Sequence, residues 1–132
     1  MILSTANTSH LTMKKFLFTL LVISIAFGAV AQKEIKPEDA KDNVGKTVKI
    51  CTKIQLAVYH ENLDGRPTRL FTSADSAHSP VTFIIWGENR RNFDYQPEKD
   101  LKEREVCITG KIELVKGKPV IFIDKQSQVS IK

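Results

Sequence analysis

Residues 104–123 read REVCITGKIELVKGKPVIFI. Val106, Ile108 and Ile112 fall on one side of an extended chain, while Cys107, Thr109 and Lys111 fall on the other. Lys116-Gly117 then interrupts the pattern, and Gly117 supplies the positive φ that a two-residue hairpin turn wants. The stretch therefore predicts a strand over 104–115, a tight turn, and a second strand over 118–124. Gly110, inside the first strand, predicts a bulge or sharp bend of the kind that closes a small barrel.

Upstream, alternation runs from Thr47 through Ile54 to Tyr59, which predicts a long first strand. Asn62-Leu63-Asp64-Gly65-Arg66-Pro67 has the composition of a turn. Thr68–Thr72 is a short second strand, and Ser73–Pro80 is a loop of small and polar residues. Val81–Trp86 is apolar on both faces apart from Thr82, so it is either a covered strand or one that carries a binding surface. Residues 88–103 lose the alternation and predict a connector with a short helix at most. Phe93 and Tyr95 in it are placed to cover an open end of the core. Residues 32–46 are charged and polar, with Pro37-Glu38-Asp39-Ala40 suited to a short helical turn. Residues 125–132 read as a polar tail.

The N-terminus is a processing segment. Lys14-Lys15 precedes an uncharged, mostly apolar run, Phe16–Ala31, that ends in Ala29-Val30-Ala31. A basic start, an apolar centre and a small-x-small end make a secretory signal peptide over residues 1–31, with Met13 an alternative start. The run is shorter than the ~20 residues that span a bilayer. The expected product is one domain, residues 32–132, periplasmic or secreted, with no stable membrane insertion after cleavage. Loss of Lys14 and Lys15 lowers the formal charge from +5 to +3, a weak bias towards anionic partners.

Export places Cys51 and Cys107 in an oxidising compartment, where an even count favours a bridge. Both thiols fall on the polar side of their strands and would face each other if those strands were neighbours. The alternative is two independent, half-exposed thiols.

Three strands, a connector and two strands form the layout of a five-stranded OB-fold barrel, all-β with a short helix or connector between strands three and four. The stretches VGKTVKICTKI, VTFIIWGENRRNF and VCITGKIELVKGKPVIFI resemble a group of small exported bacterial OB-fold proteins. They are also similar to OB modules appended to nucleases and other nucleic-acid enzymes. The resemblance spans about residues 35–127 and is most specific at VCITGKIELVKGKP. It departs most at Arg69-Leu70-Phe71-Thr72 and the loop that follows.

Patterns of catalysis are weak. Gly45-Lys46-Thr47 looks like the end of a phosphate-binding loop, but position 40 is Ala40 and a strand, not a helix, follows. Ser76 and His78 share a loop with no acid expected to orient the histidine. Glu103 and Glu105 read as a charged strand entry. No CxxC pair exists, and His60 and His78 sit in loops, so no metal or cofactor is expected. The chain reads as a binding module rather than an enzyme.

OB barrels bind ligands around strands two and three. That region offers Arg66, Arg69, Phe71, Trp86, Arg90 and Arg91, and the hairpin adds Lys111, Lys116 and Lys118. Aromatics amid cations suit single-stranded nucleic acid or another polyanion. The alternative is an envelope scaffold that contacts protein or glycan, with the same aromatics serving as core or lid.

Overall fold

The computed structural model describes residues 32–132, so the assigned signal peptide lies outside the described residues. Eight strands form: β1 (Lys33–Ile35), β2 (Thr47–Lys53), β3 (Leu56–Tyr59), β4 (Thr68–Phe71), β5 (Thr82–Ile85), β6 (Glu105–Val115), β7 (Lys118–Phe122) and β8 (Val129–Ile131). One short helix, α1 (Pro97–Asp100), lies in the connector between β5 and β6. Turns of 3-10 helix cover Pro37–Asn43, Ser76–His78, Gly87–Asn92 and Gln126–Gln128.

The strand path is β1-β2-β6-β7-β5-β4-β3, with β8 attached to β6. Within it β5 and β7 run parallel, while β2–β6, β6–β7, β4–β5 and β3–β4 are antiparallel. This is OB topology, with β2 and β3 as the two halves of one bent first strand. They stand near opposite ends of the path yet are separated in the chain by Ile54 and Gln55 alone. Ile54 N–H donates to the Arg104 carbonyl, beside β6, and Gln55 N–H donates to the Phe71 carbonyl on β4. The circuit is thus completed by the chain and not by a continuous ring of ladder hydrogen bonds.

The expected long first strand is therefore divided, and two regions expected to lack strands contain them. β1 extends the sheet beyond β2 in parallel, and β8 pairs with Val106–Ile108 of β6. Residues 125–132 are consequently a 3-10 turn and a strand, not a free tail. Gln128 secures this end by donating from Nε2 to the Thr109 and Phe122 carbonyls.

The hairpin turn forms with Lys116 at φ 52 and Gly117 at φ 77, the doubly left-handed geometry of a type I′ turn. Gly110 is not a bulge. The β2–β6 register passes through it without a slip, with Val48 opposite Gly110 and Thr47 opposite Lys111. The irregularity lies instead at the start of β6, where Glu103 N–H reaches the Ile54 carbonyl and Glu103 has φ 65. Gly110 answers a close approach: a Cβ there would stand 2.5 Å from Ile121 Cγ2.

The core follows strand parity. Val48, Ile50, Leu70, Phe83, Ile85, Val106, Ile108, Ile112, Ile121 and Ile123 all point inward and are at most 1% exposed. Each such side chain contributes roughly 1.5–3 kcal/mol relative to leaving it in water. Phe93 joins this cluster, with Tyr95 packed partly against it and edge-on to Phe93. The Tyr95 hydroxyl is buried without a hydrogen-bond partner among the described residues. Burial, followed by the charges of Asp94 and Asp100, raises its pKa.

Cys51 and Cys107 are bridged and occupy opposed positions of β2 and β6. Hydrogen bonds from Ile54 N–H to the Arg104 carbonyl and from Ile112 N–H to the Lys46 carbonyl set the ladder's alternation. By that alternation Cys51–Cys107 is a non-hydrogen-bonded pair, where antiparallel Cα atoms come closest.

Candidate ligand-binding face

The outer face of β4, β5 and β7 is organised as two cross-strand rows. Phe71, Thr82 and Val120 form one; Arg69, Ile84 and Phe122 form the other. Alternation carries Trp86 onto this face, because Phe83 and Ile85 are fully buried. Trp86 is 37% exposed and stacks on Phe122, with ring centroids 5.9 Å apart and planes 15° from parallel. Trp86 also lies close over Gly65 in the β3–β4 loop: a Cβ at Gly65 would stand 2.9 Å from the ring.

A cleft of about 400 Å³ opens at the other end of β5. Arg69, Phe71, Thr82 and Ile84 line it from the strands, and Val115, Lys116 and Lys118 from the hairpin. Ser76, Ala77 and Ser79 complete its wall. Phe71 and Ile84 are only 8% and 7% exposed, so they form its floor rather than open stacking surfaces. The loop above them is pinned where the Ser79 hydroxyl accepts from Thr72 N–H and donates to the Val81 carbonyl. A wider cleft of about 590 Å³ lies elsewhere, between β1, the Pro37–Asn43 turn and Cys51. It mixes lysines with Glu34, Asp39 and Asp42 and has no aromatic, so its chemistry favours no ligand class.

The residues expected to bind fall into two groups and two separate residues. Arg69, Phe71 and Lys118 meet in the cleft, with Trp86 on the same face and Lys116 beside them. Arg66 and Arg91 stand behind Trp86, next to Tyr59 and Gly87. Lys111 is exposed on β6 opposite Thr47, outside both groups. Arg90 is committed to the protein. Its two Nη atoms donate to the Glu98 carboxylate at 2.8 and 3.1 Å, and Nη1 also donates to the Thr68 hydroxyl at 2.6 Å. The guanidinium further lies 3.7 Å over the Tyr59 ring. Burial pushes the Glu98 carboxyl up, but the Arg90 hydrogen bonds, its own backbone amide and the charges of Arg90 and Lys99 outweigh that effect. The net result holds Glu98 below the usual carboxylate range.

Phe122 was not anticipated. In VIFI it reads as one more apolar residue, and only its turn away from the core gives it to Trp86. The expectation that no acid orients His78 is also corrected. Asp75 Oδ2 lies 2.6 Å from His78 Nδ1, because the Ser76–His78 turn brings residues three apart together. Both side chains are well exposed, and no hydrogen bond joins Ser76 to His78 among the described residues.

No protein-family model and no curated protein sequence matches the chain. Similar solved structures include the following three. An OBody bound to hen egg-white lysozyme shares 16% identity and a TM-score of 0.50, over 79% of this chain and 96% of that one. A Leishmania major protein assigned as an aspartyl-tRNA synthetase shares 12% identity and a TM-score of 0.48, over 80% of this chain and 21% of that one. The asparaginyl-tRNA synthetase of Pyrococcus horikoshii shares 12% identity and a TM-score of 0.44, over 78% of this chain and 23% of that one. The chain thus spans less than a quarter of either synthetase chain. Its strand order, the split first strand and the likeness to the OBody together make this chain an OB-fold domain.

Proposed function

We propose that the protein is an exported, non-enzymatic OB-fold module that binds single-stranded nucleic acid on the outer face of β4, β5 and β7. The observation that carries this reading is the exposed Trp86–Phe122 stack on the same face as the cationic Arg69–Lys118 cleft. Stacking is tolerant of base identity, and cations track phosphates. The Cys51–Cys107 bridge and the leader pattern support export, since such bridges persist in oxidising compartments. Among the described residues, no helix is long and apolar enough to cross a membrane.

A second reading is an envelope scaffold that contacts protein or glycan. It is favoured by the exposed Leu114 and Val115 at the hairpin tip; the similar OBody has a protein, lysozyme, as its partner. Titration of the domain with single-stranded DNA and RNA at two salt concentrations separates the readings. The first expects quenching of Trp86, the single tryptophan, with an affinity that falls steeply as salt rises. Unchanged fluorescence at low salt, with no retention on a nucleic-acid column, would leave the scaffold.

A further inference from the structure

Behind Trp86 lies a separate cleft of about 390 Å³, lined by Tyr59, Arg66, Arg90 and Arg91, with Glu88 also present. Its frame is rigid. Gly87 N–H donates to the Gly65 carbonyl at 2.8 Å, and Arg66 N–H donates to the Leu63 carbonyl at 3.0 Å. Arg90 is neutralised by Glu98 and fixed against Tyr59. Arg66 and Arg91 have no ion pair among the described residues, and Arg91 makes one side-chain bond, from Nε to the Glu88 carbonyl.

Arg66 also holds φ 45, a left-handed conformation that costs a long side chain roughly 1–2 kcal/mol. Glycine would relieve that cost. Strain of this kind gathers where a ligand is held. A planar guanidinium suits the oxygens of a phosphate, which it can grip by two parallel hydrogen bonds.

We infer that the Tyr59–Arg66–Arg91 cleft is a phosphate pocket, holding one backbone phosphate of the strand whose base stacks on Trp86. This rests on the nucleic-acid reading for its ligand, but not for its chemistry. Trp86 packs on Gly65 and directly precedes Gly87, so both walls of the pocket continue from the stacking site. The Arg69–Lys118 cleft starts beside Ile84, two residues along β5 from Trp86, and extends past Thr82, roughly 7–13 Å away at ~3.3 Å per residue. A short strand can therefore bridge both clefts.

The test compares the disulfide-bonded domain with an Arg66→Gly, Arg91→Ala double variant. Sodium phosphate should raise the melting temperature of the parent above a chloride control of equal ionic strength, as selective binding to the folded state requires. The double variant should lose that difference, while Arg66→Gly alone should melt no lower than the parent in chloride. With oligothymidylate, the double variant should bind about tenfold more weakly at low salt. Its log K against log salt slope should be shallower by about 0.7, the value for one phosphate contact on a single strand. Oligonucleotides with and without a 5′-phosphate distinguish a terminal group from an internal one. An equal phosphate effect in parent and double variant overturns the pocket. Phosphate-specific stabilisation without oligonucleotide binding upholds the pocket and removes the nucleic-acid reading. Equal oligonucleotide binding by both proteins upholds that reading and removes the pocket.

Discussion

Trp86 and Phe122 stack almost in parallel, 5.9 Å between centroids, although 36 positions separate them in the chain. The contact depends on β5 and β7 lying side by side, with Ile84 opposite Phe122. Phe122→Ala should therefore shift Trp86 emission in the free protein. Loss of the aromatic surface should also weaken oligonucleotide binding by about 1–3 kcal/mol, the range for one stacked base. Unaltered emission and unaltered affinity together would remove Phe122 from the site.

The Cys51–Cys107 bridge closes a long loop, with a sequence separation of 56. In the chain-entropy description, such a closure stabilises by about 4 kcal/mol, and real bridges often deliver less. A Cys51→Ser, Cys107→Ser variant should denature at clearly lower urea than the oxidised parent. Matching midpoints would mean that the β2–β6 ladder alone holds the sheet.

Arg90 and Glu98 tie the Gly87–Asn92 turn to α1. Glu98→Gln should cost about 1–3 kcal/mol near neutral pH, because a half-buried guanidinium loses its counter-charge. The folded Glu98 pKa is lowered, so as pH falls the unfolded chain takes up the proton first. The pair's contribution is complete above the ordinary carboxylate value of ~4.3 and disappears as pH drops through the lower folded value. The stability difference between parent and variant should be flat from pH 7 to about 5 and shrink below about 4. A difference that persists unchanged to pH 3 would contradict this account.

Gly110→Ala places a methyl group 2.5 Å from Ile121 Cγ2 in the fully buried core. The expected destabilisation is about 1–3 kcal/mol, the usual result of overpacking. Urea denaturation measures it directly. An unchanged midpoint would show that β7 can yield at this point.

Cleavage after Ala31 should leave Gln32 as the first residue of the exported protein. Intact-mass analysis of material from the periplasm or medium decides this, and a species that retains Phe16–Ala31 would contradict it.

What the sequence determined by itself was local. The alternation in VCITGKI, the Lys116-Gly117 turn and the succession of strands along the chain pointed to a small β fold of OB type. Parity put both cysteines on the outer side of their strands and Trp86 outside once Phe83 and Ile85 were inside. These readings need only the two-residue period of a strand and the backbone freedom of one glycine. Tertiary structure decided which faces meet. Strand periodicity assigns a side but not a neighbour, so Phe122 gave no sign that it would stack on Trp86. The same limit concealed the bond between Arg90 and Glu98, eight residues apart, and the cover that buries Phe71. β1 and β8 are three-residue strands, too short for alternation to declare them, and they exist because β2 and β6 offer edges to pair with. Gly110 was legible as exceptional, but its reason, the close approach of Ile121, arises only when β7 folds back against β6.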